Sequence, residues 1–189
     1  MNRRLKLALP NKGRLSDRAL ELLSNAGYRV PRHARRLIAD VNDSLQLLFV
    51  RTQDIPEYVA TGTADAGITG QDLVEEQGLP VEALLKLGFG KCRLVVAAPR
   101  SLAVTQLSDL ASMRIATVFP KLTAGHFSAN NIEVEVIPLS GATEVAPQVG
   151  VSEAIVDLVD TGSTLKQHGL VEIDTTMHSE ALLIANPHS

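Results

Sequence analysis

Short apolar runs alternate with polar, glycine-bearing segments along most of this chain. Leu5 to Leu9 reads as a buried strand entering the loop Pro10-Asn11-Lys12-Gly13-Arg14. Ser16 and Asp17 then offer an N-cap and a dipole partner for a helix to about Asn25, which Gly27 can end. Leu37 to Val41 and Leu45 to Val50 flank the turn dipeptide Asn42-Asp43, the pattern of a hairpin. Asp54 before Ile55-Pro56 marks another helix start, closed by Gly62. Ala64 to Thr69 predicts a strand ending at Gly70, and about Asp72 to Gln77 a helix. Arg93 to Ala98 is a strongly apolar strand running into Pro99.

The alternation continues beyond it. Arg114 to Val118 predicts a strand. Ile132, Val134 and Val136 alternate with Glu133 and Glu135, the period of a half-buried strand. A helical segment around Glu144 precedes a strand over Ala154 to Val159, and Ala181 to Ala185 is a last apolar strand. Strands alternating with short helices predict an α/β architecture with mainly parallel sheets. No internal repeat, low-complexity segment or Ser/Pro-rich linker interrupts the chain.

Composition narrows the classes. With 189 residues and 45% apolar residues the chain can bury a core without disulfides or a structural metal. A formal net charge of -3 supplies no basic excess for nucleic acid or a membrane surface, although single anion sites remain open. The lone cysteine, Cys92, excludes an intrachain disulfide and a cysteine-based metal cluster. Between Lys91 and Arg93 its thiol can be activated, or it can simply be a small packed residue at a strand start. Met1-Asn2-Arg3-Arg4 opens nothing like a signal peptide, and no apolar run approaches the roughly twenty residues of a membrane span. A cytoplasmic location is expected. His33, His126, His168, His178 and His188 show no ligand spacing and read as surface or loop residues.

The chemistry concentrates in Ala154-Ile155-Val156-Asp157-Leu158-Val159-Asp160-Thr161-Gly162-Ser163-Thr164-Leu165. A buried strand delivers two carboxylates, a glycine and three hydroxyls to a turn that opens a helix. Free amides and the dipole at such a turn favour an anion. Gly162 lets backbone approach a phosphate, and Thr161, Ser163 and Thr164 can donate to it. Asp157 and Asp160 would repel that phosphate but can accept from the hydroxyls of an adjacent ribose. The pattern therefore suits a ribose 5-phosphate. Asp160 or Thr161 as a plain N-cap explains the turn too, but not a carboxylate inside the preceding apolar strand.

Here the chain resembles the ATP phosphoribosyltransferase family. Ile155 to Leu165, continuing to Gly169-Leu170, looks like that family's signature, and matching stretches recur in order from Leu5 to Asn186. They include Ala8 to Leu15, Asp54-Ile55-Pro56 through Gly62, Ala64 to Asp72, Leu87 to Gly90, Arg114 to Thr117 and Gly141 to Pro147. Lys12, Gly13 and Arg14 fall in a strand-to-helix loop suited to pyrophosphate or triphosphate, or are solvated surface residues. Arg51 can clamp phosphate or pair with Asp54. Gly67 and Gly70 permit tight backbone near a ligand, or serve turn geometry alone. Glu144 can contact the nucleotide or a ribose hydroxyl, or stabilise a helix dipole.

The resemblance implies two α/β lobes related to periplasmic solute-binding proteins, with the active site between them. The expected lobes are residues 1–97 plus 172–189, and 98–171. The implied reaction joins N1 of the adenine of ATP to the anomeric carbon of phosphoribosyl pyrophosphate and releases pyrophosphate, the first step of histidine biosynthesis. Mg²⁺ would ride on the substrate phosphates, with no metal site on the protein. The length has no room for the regulatory domain of long members, so the likeness is to the short form. That form implies a regulatory subunit resembling histidyl-tRNA synthetase, and a homodimer within a hetero-oligomer. The chain also stops soon after Leu183 to Asn186, where family members continue into a final helix. Two other classes share part of the pattern: a non-catalytic solute-binding module, and a phosphoribosyltransferase acting on a free base. No general base presents itself.

Overall fold

The computed structural model describes residues 4–30 and 37–189, so Met1 to Arg3 and His33 lie outside the described residues. The chain forms two compact units, Met1–Lys91 with Glu180–Ser189, and Cys92–Ser179. Both are α/β.

The first unit contains β1 (Leu5–Pro10), α1 (Arg14–Asn25), β2 (Ile38–Asp40), β3 (Leu45–Val50), α2 (Ile55–Ala60), β4 (Ala66–Gly70), α3 (Gln71–Gln77), β5 (Glu82–Lys86) and the chain's last strand, β11 (Ala181–Ala185). They build a six-stranded sheet in the order β2-β3-β1-β4-β11-β5. β3, β1 and β4 run parallel, whereas β2, β11 and β5 are antiparallel to their neighbours. Successive side chains on a strand point to opposite faces. Leu7, Leu9, Leu45, Leu47 and Ile68 accordingly pack with Ala19 and Leu23 of α1. Ala8, Leu48, Leu182 and Ile184 pack with Ile55 and Val59 of α2. The hairpin turn is fixed by the Asn42 side chain, whose Oδ1 accepts from the amides of Ser44 and Leu45 at 2.9 and 2.8 Å.

The second unit contains β6 (Cys92–Pro99), β7 (Arg114–Thr117), α4 (Pro120–Ala129), β8 (Glu135–Pro138), β9 (Ala154–Val159), α5 (Ser163–Gln167) and β10 (Leu170–Ser179). Its five-stranded sheet has the order β10-β6-β9-β7-β8. β9, β7 and β8 are parallel, and β6 and β10 are antiparallel to their neighbours. Arg114, at the start of β7, grips Glu153 just before β9, with Nη2 2.6 Å from Oε1 and the backbone amide 2.8 Å from Oε2.

Several expectations shift. Both sheets are mixed rather than mainly parallel, because β2, β11 and β5 in the first and β6 and β10 in the second pair antiparallel. The crossings fall at Lys91/Cys92 and Ser179/Glu180 instead of 97/98 and 171/172. β6 pairs with β9 and β10 over nearly its whole length, so it lies in the second sheet from its first residue. The sequence pattern does not predict β10, because bulges at Glu172/Asp174 and Thr175/Met177 break the alternation that marks a strand. β5 and α4 were also unanticipated. α1 starts at Arg14, with Gly13 as its N-cap residue, so Ser16 is buried within the helix and does not cap it. The helical segment around Glu144 is one 3-10 turn, Thr143–Val145.

Candidate functional site

In each unit the parallel strands end at one edge, and the chemistry-bearing loops emerge there, as α/β folds commonly arrange it. In the second unit β9 carries Asp157 at its exit, on the same face as Ile155 and Val159. Those two residues pack with Ala146, Leu165 and Leu170. Asp157 is thus a carboxylate at the rim of an apolar cluster. Its Oδ2 accepts a short hydrogen bond from the Thr143 hydroxyl, and its Oδ1 accepts from the Leu158 amide at 2.7 Å. Burial pushes its pKa above the ordinary carboxylate value. The Thr143 and Leu158 hydrogen bonds oppose the rise, and the nearby Glu144 charge adds to it.

Asp160 and Thr161 are exposed at the turn that follows. Gly162 has φ 77° and ψ 7°, the left-handed region that glycine enters without steric cost. An added Cβ there would come no nearer than 3.8 Å to Val159, so backbone conformation, not space, selects glycine. α5 begins at Ser163 with no side-chain cap on its first turn. The hydroxyls of Thr161 and Ser163 lie 3.1 Å apart, and Thr164 is exposed beside them. Buried Leu165 anchors this five-residue helix to the cluster beneath it. The first-turn amides of α5 and the hydroxyls of Thr161, Ser163 and Thr164 around a left-handed glycine are groups that can donate to an anion. Glu144 is half-buried in the turn after β8 and shares Asp157's neighbourhood. The structure therefore brings Asp157, Asp160, Thr161, Gly162, Ser163, Thr164 and Glu144 to one edge of one sheet.

The first unit collects the remaining candidates at the corresponding edge. The Asn11 amide donates to the Val50 carbonyl at 2.8 Å, tying the loop after β1 to the end of β3. Lys12, Gly13 and Arg14 are exposed on that loop. Gly13 has φ 83° and ψ -178°, a conformation essentially confined to glycine. Arg51 leaves β3 extended and exposed, and among the described residues no ion pair joins it to Asp54. The turn after it is held by buried Thr69, whose hydroxyl donates to the Thr52 carbonyl at 3.0 Å. Gly70 ends β4, and a Cβ there would meet Asp72 Oδ1 at 2.3 Å. Gly67 belongs to helix packing instead: its Cβ would lie 2.4 Å from Ile55 Cγ2.

Two features escaped the sequence reading. Thr143, the partner of Asp157, lies within the Gly141 to Pro147 stretch, but nothing local distinguishes a buried hydroxyl from a turn residue. His126 is not a loop residue: it lies in α4, largely covered, with Nε2 2.8 Å from Asp174 Oδ2 on β10. Among the described residues no group of three or more His, Cys, Asp or Glu is placed to hold a metal ion.

A family model described as "HisG: ATP phosphoribosyltransferase" matches residues 51–189, a span that includes Arg51, Gly70, Glu144 and the whole 157–164 segment. The chain belongs to the ATP phosphoribosyltransferase family. An ATP phosphoribosyltransferase of Gemmatimonas aurantiaca is 49% identical over 185 residues, which cover 95% of this chain. The chain spans 63% of the length of that relative. Among solved structures, the ATP phosphoribosyl transferase (HisG:HisZ) complex from Thermotoga maritima aligns with a TM-score of 0.85 and 31% identity, covering 98% of this chain and 89% of that one. The alkanesulfonate-binding protein SsuA from Xanthomonas axonopodis pv. citri aligns with a TM-score of 0.60 at 12% identity, over 98% of this chain and 66% of that one. That likeness concerns the fold alone, and it agrees with the expected solute-binding-protein-like fold.

Proposed function

We propose that this chain transfers the 5-phosphoribosyl group of phosphoribosyl pyrophosphate to N1 of the adenine ring of ATP, the entry step of histidine biosynthesis. The observation that carries the reading is the turn from β9 into α5. A left-handed glycine, the first-turn amides of a helix and clustered hydroxyls there suit a phosphate, with carboxylates beside them for ribose hydroxyls. Thr161, Gly162, Ser163 and Thr164 hold the 5-phosphate. Asp157 and Asp160 accept from the ribose hydroxyls, with Glu144 near Asp157. Lys12, Arg14 and Arg51, with the backbone at Gly13 and Gly70, serve the pyrophosphate and triphosphate groups.

In the reaction the bond from the anomeric carbon to the pyrophosphate oxygen breaks and a bond from that carbon to adenine N1 forms. The electron pair of the broken bond leaves on pyrophosphate. Positive charge develops on the ribose ring, so carboxylates near it and cations near the leaving group both lower the barrier. Alignment of N1 with the anomeric carbon supplies the rest. N1 attacks through its own lone pair, so the attack needs no general base. Mg²⁺ enters as part of the substrate, bound to pyrophosphate oxygens, in keeping with its preference for phosphate ligands.

Partnership with a regulatory subunit resembling histidyl-tRNA synthetase, around a homodimer of this chain, extends the same reading. A cytoplasmic location fits it, and among the described residues no helix is long and apolar enough to cross a membrane. The test is to incubate the chain with ATP, phosphoribosyl pyrophosphate, Mg²⁺ and a pyrophosphatase and to follow phosphoribosyl-ATP by mass and absorbance. Product that free adenine fails to replace supports the reading. Silence that persists after the regulatory subunit is added rejects it, and product from a free base points to a different phosphoribosyltransferase.

A further inference from the structure

Asp157 is tied into the protein on both carboxylate oxygens, by the Thr143 hydroxyl and by the Leu158 amide. Thr143 is almost fully buried, at 1% exposure, and opens the turn that presents Glu144. The residue before it, Ala142, sits at φ 52°, so this turn is held in a conformation alanine does not favour. Ala146, just beyond the turn, packs in the same cluster as Ile155, Val159 and Leu165. The loop after β8 and the loop after β9 therefore rest on one apolar cluster. The Thr143–Asp157 bond, between residues 14 apart in sequence, is the polar tie that fixes one loop against β9.

We propose that Thr143 is a positioning residue, whose hydroxyl locks Asp157 so that Glu144 and the Asp160–Thr164 turn address the same phosphoribosyl group. The proposal rests on the phosphoribosyl-transfer reading above. Without the hydroxyl, the partly buried carboxylate keeps only the Leu158 amide and faces the Glu144 charge. It turns toward solvent, and the loop carrying Glu144 loses its anchor. The ribose then meets its acceptors one at a time.

The test compares Thr143→Val, Thr143→Ser, Asp157→Asn and the Thr143→Val/Asp157→Asn double variant, with Thr143→Ala in reserve should valine not fold. KM for phosphoribosyl pyrophosphate should rise about tenfold or more in Thr143→Val, as expected when a hydrogen bond to a charged group is lost. KM for ATP should move much less, and Thr143→Ser should restore both. The double variant should be no worse than the poorer single one, because both remove the same tie. Hydrogen exchange of the 139–146 amides should quicken in Thr143→Val without any substrate present. Equal losses in both KM values, fully multiplicative effects in the double variant, or unaltered exchange would each overturn the proposal. If the unaltered chain makes no phosphoribosyl-ATP even with the regulatory subunit added, the functional reading fails, while exchange and calorimetric binding of ribose 5-phosphate still judge the tie.

Discussion

Replacing Gly67 by alanine tests how the first unit is packed. Its Cβ would lie 2.4 Å from Ile55 Cγ2, 3.0 Å from Val59 Cγ2 and 3.5 Å from the Ala8 carbonyl oxygen. Carbon atoms in contact prefer about 3.5–4.0 Å, so α2 must lift by about 1 Å or Ile55 must leave its rotamer. Ile55 and Val59 are both fully buried, and β-branched side chains in a helix have almost no second χ1 choice. Overpacking of this kind costs about 1–3 kcal/mol. For a chain of this size that corresponds to a midpoint lower by about 2–12 °C. The chain has no tryptophan, and its two tyrosines, Tyr28 and Tyr58, both belong to the first unit. Tyrosine fluorescence during urea unfolding therefore reports that unit separately from the other. Ile55→Ala removes the methyl that clashes, so in the Gly67→Ala background it should cost less than in the unaltered chain. Below the transition, KM values for both substrates should stay as they were. Stability within about 0.5 kcal/mol of the unaltered chain would refute this packing, given the usual scatter of surface substitutions. A raised KM with unchanged stability would instead place Gly67 against a ligand.

Other substitutions probe the site. Gly162→Ala meets no steric obstacle nearer than 3.8 Å, so its cost to stability should be about 1–2 kcal/mol from the left-handed backbone alone. A loss of kcat/KM for phosphoribosyl pyrophosphate well beyond tenfold would show that a phosphate lies against that backbone, and unchanged kinetics would remove the turn from the site. Asp157→Asn should change stability in a pH-dependent way. The folded carboxyl has a raised pKa, so it favours folding below the unfolded value and loses that contribution as pH rises through the folded value. The melting temperature of Asp157→Asn relative to the unaltered chain should therefore climb from about pH 4 to pH 7; a flat difference would contradict the burial of Asp157. Arg51→Ala should weaken pyrophosphate product inhibition with little effect on the melting temperature, and a large melting shift would make it a structural residue.

The strands that carry the candidate loops were legible because their apolar runs are short and end at glycine or proline, as in Leu5–Pro10 and Ala66–Gly70, or at a polar turn, as in Ala154–Val159. The β9–α5 turn was legible for a different reason: carboxylates, glycine and hydroxyls were contiguous. What depended on residues distant in sequence was not. β10 has its alternation interrupted by two bulges that only its pairing with β6 explains. β5 exposes Leu84 and Leu85 at a sheet edge, where burial gives no pattern to read. Gly67 and Gly70 are explained by neighbours that the local sequence does not show. An isoleucine from α2 at Gly67 and a carboxylate from α3 at Gly70 occupy the space that a side chain there would need. Asp157 kept its place at the strand exit, but its partner came from a turn 14 residues earlier.

The sheet order of the first unit has a consequence for how the chain is made. β11 lies between β4 and β5, so residues 181–185 complete a sheet whose other strands come from residues 5–86. As the chain leaves the ribosome, β4 and β5 wait with open edges while the whole second unit, continuous from Cys92 to Ser179, is synthesised and can close. The half that begins first is finished last. Chains arrested at Ser179 should therefore yield a protease-resistant second unit attached to a first unit that is still cut, and it is this waiting half that a chaperone would have to shield.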